Sequence, residues 1–93
     1  MQIYVTKNLM EELVLKFYDK VISDLNVCKC ERCKADIIAI ALNRLPPRYY
    51  VTKEGEMYLK LKELEIQFEV DIVAALAAAA FIVNNKPRHE ERD

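Results

Sequence analysis

Apolar residues recur at three- and four-residue spacing through Leu9, Leu13, Val14, Phe17, Val21, Ile22 and Leu25, with Glu11, Glu12, Lys16, Asp19, Lys20 and Asp24 between them. That period predicts an amphipathic helix of about four to five turns with one face on a core. Asn8 stands where an N-cap belongs, and Glu11 three positions on makes a capping-box-like start. Residues 1–7 have a β-tinged composition and read as a lead-in arm, extended or frayed. A second apolar run, Ala35–Leu45, spreads Ile37, Ile38, Ile40, Ala41 and Leu42 over most of a helix's circumference. Such a helix must be covered on more than one side, which in a small chain points to a second copy. Pro46 ends it by biasing Leu45 out of the αR region.

The pattern from Tyr49 to Lys60 is ambiguous. Tyr49–Thr52 and Met57–Lys60 around Lys53-Glu-Gly fit a hairpin. Met57, Leu61, Leu64 and Phe68 instead continue a helical spacing that leads into Val70–Val83. The helical reading is preferred, with Thr52 as cap and a start near Glu54 to Glu56. An unbroken helix from there to Val83 spans some 28 residues, roughly 42 Å, and so must bend or lie along a partner. Ala74–Ala80 holds six alanines in seven positions, which brings an opposing surface close. Asp71 inside this run is either a solvent-facing acid or a buried partner for an arginine. Asn84-Asn85-Lys86-Pro87 stops the helix, and residues 86–93 form a polar tail. The predicted architecture is all-α, a single helical domain over 1–93 closed by a long C-terminal helix.

Composition narrows the class. Of 93 residues, 53% are hydrophobic and 31% charged, with one glycine and three prolines, which suits a folded helical protein and leaves little punctuation for many short strands. A formal net charge of −1 gives no global basic field for nucleic acid or an anionic membrane. Met1-Gln-Ile-Tyr-Val lacks the features of a signal peptide, so a reducing cytoplasm is expected. Val70–Val83, fourteen residues interrupted by Asp71, falls short of the roughly 20 apolar residues a membrane span needs.

All three cysteines lie in Cys28-x-Cys30-x-x-Cys33, at the start of the second helix. Cys30-x-x-Cys33 is the spacing at which a tight turn aims two sulfurs at one metal, and Cys28 supplies a third. A structural zinc knuckle between helix 1 and helix 2 is the leading reading; free thiols are the plain alternative. Cys33 in the first helical turn is placed where free amides and the helix dipole favour a thiolate. A tetrahedral site needs a fourth ligand. His89 in the tail is the one histidine; water, an acid or a group from a second chain are the alternatives. A Cys/His nucleophile would pair one activated thiolate with His89, an arrangement that three adjacent cysteines fit less well than metal. No paired carboxylates or Ser/His/Asp set points to an enzyme.

The segment from Asn43 to Tyr50, with Arg32, Lys34 and Lys53 near it in sequence, joins guanidinium groups to aromatic rings. Arginine grips phosphate in bidentate fashion and stacks on planar rings, the tools for a nucleotide. The plain reading is helix-end chemistry, with basic residues complementing a dipole and tyrosines edging the core. No Walker A or glycine-rich phosphate loop is present.

With the cysteine motif, Asp36, Ile37–Leu42 and Asn43-Arg-Leu-Pro-Pro-Arg-Tyr49 laid out, the chain resembles the ComFB family of late competence proteins. The likeness continues through Val51-Thr-Lys-Glu-Gly-Glu56, Gln67-Phe-Glu-Val-Asp71 and Lys86-Pro-Arg-His89, covering residues 8 to 89. The resemblance implies an all-helical, dimeric, non-enzymatic bacterial protein with cysteine-bound zinc. It also implies a receptor for cyclic dinucleotides, cyclic di-GMP in particular. Carried onto this chain, Arg32, Asn43, Arg44, Arg48 and Tyr49 are the candidate ligand-binding residues. The expected partners are a second copy, a cyclic dinucleotide and an unidentified protein, with no direct nucleic acid and no membrane. The alternative is an interaction or scaffold protein associated with competence, without a small-molecule ligand.

Overall fold

The computed structural model describes residues 4–62 and 66–85. Four helices carry the fold: α1 (Leu9–Ile22), α2 (Glu31–Arg44), α3 (Lys53–Lys62) and α4 (Ile66–Asn85). Two short strands, β1 (Lys7–Asn8) and β2 (Tyr49–Tyr50), pair antiparallel, Lys7 opposite Tyr50 and Asn8 opposite Tyr49.

Helix α1 starts where the cap predicts: Asn8 is extended, and its Oδ1 accepts from the Met10 amide at 3.1 Å. It ends at Ile22, earlier than the apolar spacing suggested. Leu25 keeps the hydrophobic period but packs half-buried from the following loop, whose backbone turns as the Leu25 amide donates to the Ile22 carbonyl. Leu9, Met10, Leu13, Val14, Phe17, Tyr18 and Ile22 form the buried face. Met10 and Tyr18 extend the stripe read from sequence, and Val21 lies at its edge, half-buried.

The core is closed by α4. Its buried residues Phe68, Ile72, Ala75, Leu76, Ala79, Ala80 and Val83 follow one 3.6-residue stripe, and both α1 and α2 pack on it. Ile72 and Leu76 are fully enclosed, each contributing about 1.5–3 kcal/mol by leaving water. Ala75, Ala79 and Ala80 hold the inner face low enough for close helix approach. Helix α2 buries Cys33, Ile37 and Ala41, while Ile38, Ile40 and Leu42 are half-buried; less of its circumference is covered than its composition demands.

The tertiary arrangement bears on three expectations. The hairpin alternative fails because Tyr49–Tyr50 pairs with β1 and Met57–Lys60 is helical. The long helix is described in two parts, α3 and α4, and whether it runs unbroken falls on 63–65, outside the described residues. Thr52 does cap α3, its Oγ1 accepting from the Gly55 amide at 3.0 Å, so α3 begins at Lys53, slightly before the predicted start. Finally, α4 extends beyond the fourteen-residue run Val70–Val83 at both ends. Phe68–Asn85, with mean hydropathy 1.5, reaches by length and composition the range of a membrane span. Its buried stripe against α1 and α2 is the pattern of a core helix, and Asp71 lies exposed on the other side.

Candidate metal centre

The cysteine corner is built by local geometry. Cys30 is the N-cap of α2, with extended backbone, and its Sγ accepts from the Cys33 amide at 3.4 Å. A sulfur thus takes the place of the usual Ser or Asp oxygen. The Cys30 carbonyl accepts from Lys34 N at 2.9 Å, starting the helical ladder. Helix α2 therefore begins at Glu31, one turn before the apolar run, because the capping sulfur satisfies a first-turn amide. The preceding loop is fastened by Lys29, whose Nζ donates to the carbonyls of Leu25 (3.1 Å) and Val27 (3.4 Å). Leu25, Val27, Cys28 and Cys30 rest half-buried on the core.

The three sulfurs of Cys28, Cys30 and Cys33 lie within 4.8 Å of one another, against an edge of about 3.8 Å between thiolates on a tetrahedral ion with 2.3 Å bonds. Among the described residues no other group of three His, Cys, Asp or Glu side chains is so placed. The donors fit a thiophilic divalent cation. Cys33 is 1% exposed, and burial, reinforced by the sulfurs of Cys30 and Cys28, pushes its thiol up to about 12. The expected favouring of a Cys33 thiolate by the α2 N-terminus is thus outweighed by desolvation. Without metal the buried thiol keeps its proton; a cation must displace it, which ties binding to proton release.

Tyr18 of α1 completes the wall of this corner. Its ring lies 5.2 Å beneath Lys34 Nζ, and its hydroxyl is buried with no hydrogen-bond partner. Burial raises its pKa most, with Asp19 and the three cysteines adding to the effect. The sequence placed Tyr18 one helical turn from Val14, which signals burial but says nothing about its hydroxyl. His89 lies outside the described residues.

At the other end of α2 the chain turns at Pro46-Pro47 and is tied to the start of α1. Asn8 Oδ1 also accepts from the Arg48 amide (2.8 Å), and the Arg48 carbonyl accepts from the Leu9 amide (2.7 Å). The Arg48 guanidinium stacks 4.8 Å from the Phe68 ring centroid, and its Nε is buried without an acceptor. Asn43, Arg44 and Tyr49 are exposed beside it in the chain, at and just beyond the end of α2. Arg32 stands in the first turn of α2, about 18 Å from Arg44 along the helix at 1.5 Å per residue, and its Nε lies 3.2 Å from Asp36 Oδ2. Asn43 and Arg44 thus close α2, Arg48 and Tyr49 follow the Pro46-Pro47 turn, and Arg32 stands at the cysteine end of the helix.

Tyr50 fastens the same corner. Its hydroxyl donates to Glu12 Oε2 at 2.7 Å and approaches Glu56 Oε2 at 3.4 Å. The hydrogen bond to the Glu12 carboxylate, before burial and the charge of Glu56, pushes the phenol up to about 12. Glu56 is held below the ordinary carboxylate value, first by its hydrogen bond to Lys60.

Comparison with known proteins places this geometry. The competence protein ComFB of Bacillus subtilis (strain 168) is 28% identical over 79 residues, covering 83% of this chain and 81% of that protein. A solved structure of the late competence protein ComFB from Bacillus subtilis shares the fold, with a TM-score of 0.78 over 95% of this chain and 100% of that one at 24% identity. The model of the family described as late competence development protein ComFB matches residues 7–87, from the strand pair through the cysteine corner to just past α4, and on that match the chain belongs to the ComFB family.

Proposed function

We propose that this protein works by binding rather than by chemistry: it is a zinc-stabilised cytoplasmic homodimer that receives a cyclic dinucleotide, cyclic di-GMP in particular, and passes the signal to a protein partner. Zinc suits three thiol donors and a closed tetrahedral site. When bound, it would supply a cross-link between the α1–α2 loop and the first turn of α2 through Cys28, Cys30 and Cys33. A fourth ligand comes from His89, water, an acid or the second copy.

The observation that carries the nucleotide reading is Arg48, whose buried Nε–H lacks an acceptor while Arg44 and Tyr49 stand exposed beside it in the chain. A phosphate supplies the missing acceptor, and Tyr49, 62% exposed, offers a face on which a base stacks. Arg32 joins this set only if a second copy brings its α2 N-terminus to the corner. A two-fold ligand suits a two-fold dimer. The ligand changes output only by favouring one conformation or one partner complex over another.

A second reading draws on the outer face of α4. Val70, Val73, Ala74, Ala77 and Phe81 recur there at helical spacing, with Val70 50% and Phe81 68% exposed. This stripe supports an interaction protein associated with competence, as its relatives are named, that binds no small molecule. In both readings it is the surface for the second copy, since Ala74 and Ala77 let two helices approach closely.

Thermal-shift titration of the zinc-loaded protein with cyclic di-GMP, cyclic di-AMP and GTP separates the two. The receptor reading expects stabilisation by one cyclic dinucleotide that grows with concentration. It expects Arg48→Ala to abolish that shift while metal content and dimer mass stay unchanged, because the main-chain ties of Arg48 to Asn8 and Leu9 survive truncation. A flat response to all three nucleotides leaves the interaction protein. An unchanged response in Arg48→Ala removes Arg48 from the site.

A further inference from the structure

We propose that the Tyr18 hydroxyl is an outer hydrogen-bond donor to a thiolate of the cysteine centre, a contact made when the cysteines exchange their protons for a metal ion. The inference rests on the metal reading given above. Tyr18 is 4% exposed, and its hydroxyl is buried with no partner. Buried polar groups are hydrogen-bonded in the great majority of cases, so an orphan calls for a reason. Phenylalanine would bury the same ring without the cost of an unsatisfied hydroxyl. A buried hydroxyl without a partner is costly to the fold, and a state in which it finds an acceptor gives it a reason.

The surroundings identify that state. Tyr18 lies in the same core cluster as Cys33, with Cys28 and Cys30 packed against its edge. The Tyr18 ring meets α2 in its first turn, where Lys34, the residue after Cys33, holds its Nζ 5.2 Å from the ring centroid. Lys29 and Glu31 border the same depression as Tyr18 and Asp19. A neutral thiol is a weak acceptor, whereas a thiolate is a strong one. Three thiolates on a divalent cation carry one excess negative charge, and a donor from a dry neighbouring helix offsets it while orienting the sulfur. Such outer contacts typically contribute 10–100-fold to metal affinity.

The test is Tyr18→Phe, which keeps the ring and removes the donor. Zinc affinity is read by competition with a chromophoric chelator, and melting is compared with and without zinc. Cobalt(II) substitution reports on the sulfurs through thiolate-to-metal charge transfer. The proposal expects about tenfold weaker zinc binding and a charge-transfer band moved to longer wavelength, as an unbonded thiolate gives up electron density more readily. It further expects a metal-free protein that melts at the wild-type temperature or higher, and a zinc-loaded one that melts lower. Wild-type affinity with an unchanged cobalt spectrum overturns it, as does an equal loss of stability in both forms, which marks a purely structural tyrosine. If wild-type protein itself binds no zinc in the same competition, the metal reading falls first and is recognised before the variant is made.

Discussion

At its N-terminal end α2 is held by residues three positions apart, Cys30 capping the amide of Cys33; at its C-terminal end it is held by residues about forty apart, where Asn8 takes the amide of Arg48. The first end is a local device whose parts lie within six positions of the chain. The second is a closure between the entry of α1 and the exit of α2, reinforced by the β1–β2 pair and by Tyr50 on Glu12. A local device is assembled by the turn itself, which brings the three sulfurs together without help from distant residues. A closure exists only after α1 and α2 have packed on α4, since loop-closure entropy must be offset by contacts made elsewhere. The cysteine end is therefore suited to stabilisation by a metal ion, and the proline end depends on how the helices pack.

Variants at each end test that contrast. The largest effect is expected from Cys30→Ser in the zinc-loaded protein. Serine is itself a strong N-cap, so α2 remains capped while a metal ligand is lost. Because zinc binding at a structural site adds directly to folding free energy, metal-dependent stabilisation should vanish, and melting should no longer respond to a chelator. Full zinc content and an unaltered melting curve would remove Cys30 from the site.

At the opposite end, Asn8→Ala deletes one acceptor that serves two amides, those of Met10 and Arg48. The expected loss is about 1–2 kcal/mol for the cap, or about 4–8 °C in Tm for each kcal/mol in a domain of this size. Zinc affinity should stay at the wild-type value. A matching fall in zinc affinity would show that the two ends are coupled through α2 rather than independent.

The smallest effect concerns pH. The folded protein holds the Tyr50 proton more tightly than the unfolded chain, with the phenol raised from 10.0 to about 12. Its contribution is complete below about pH 10 and is lost as pH rises through about 12. Urea midpoints of wild type and Tyr50→Phe should thus differ at neutral pH and converge over that alkaline window. A constant difference at every pH would mean that the Glu12 contact contributes nothing to stability.

What was legible followed from distance along the chain. The α1 stripe, the Asn8 and Thr52 caps, the stop at Pro46 and the gathering of three sulfurs all depend on residues within one turn of each other. They were readable because a helix or tight turn fixes such neighbours whatever else the chain does. The extent of α2 from the cysteine turn to Pro46 was legible as well; that the Cys30 sulfur itself caps the helix was not, because its spacing speaks only of metal ligation. The 3.6-residue period from Met57 to Val83 was legible as helix, and both α3 and α4 follow it over the described residues.

By itself the sequence determined a helical domain with a thiol cluster at one helix start and a basic, aromatic corner at the other end. The tertiary structure alone decided that Lys7–Asn8 pairs with Tyr49–Tyr50 and that Arg48 turns its guanidinium onto Phe68. It alone gave α4 one stripe for the core and another for the outside, and buried the Tyr18 hydroxyl without a partner. The physical reason is that local hydrogen bonds and side-chain spacing are set by the backbone within a turn. The direction a long side chain faces, and the water it loses, depend on which distant surface arrives to cover it.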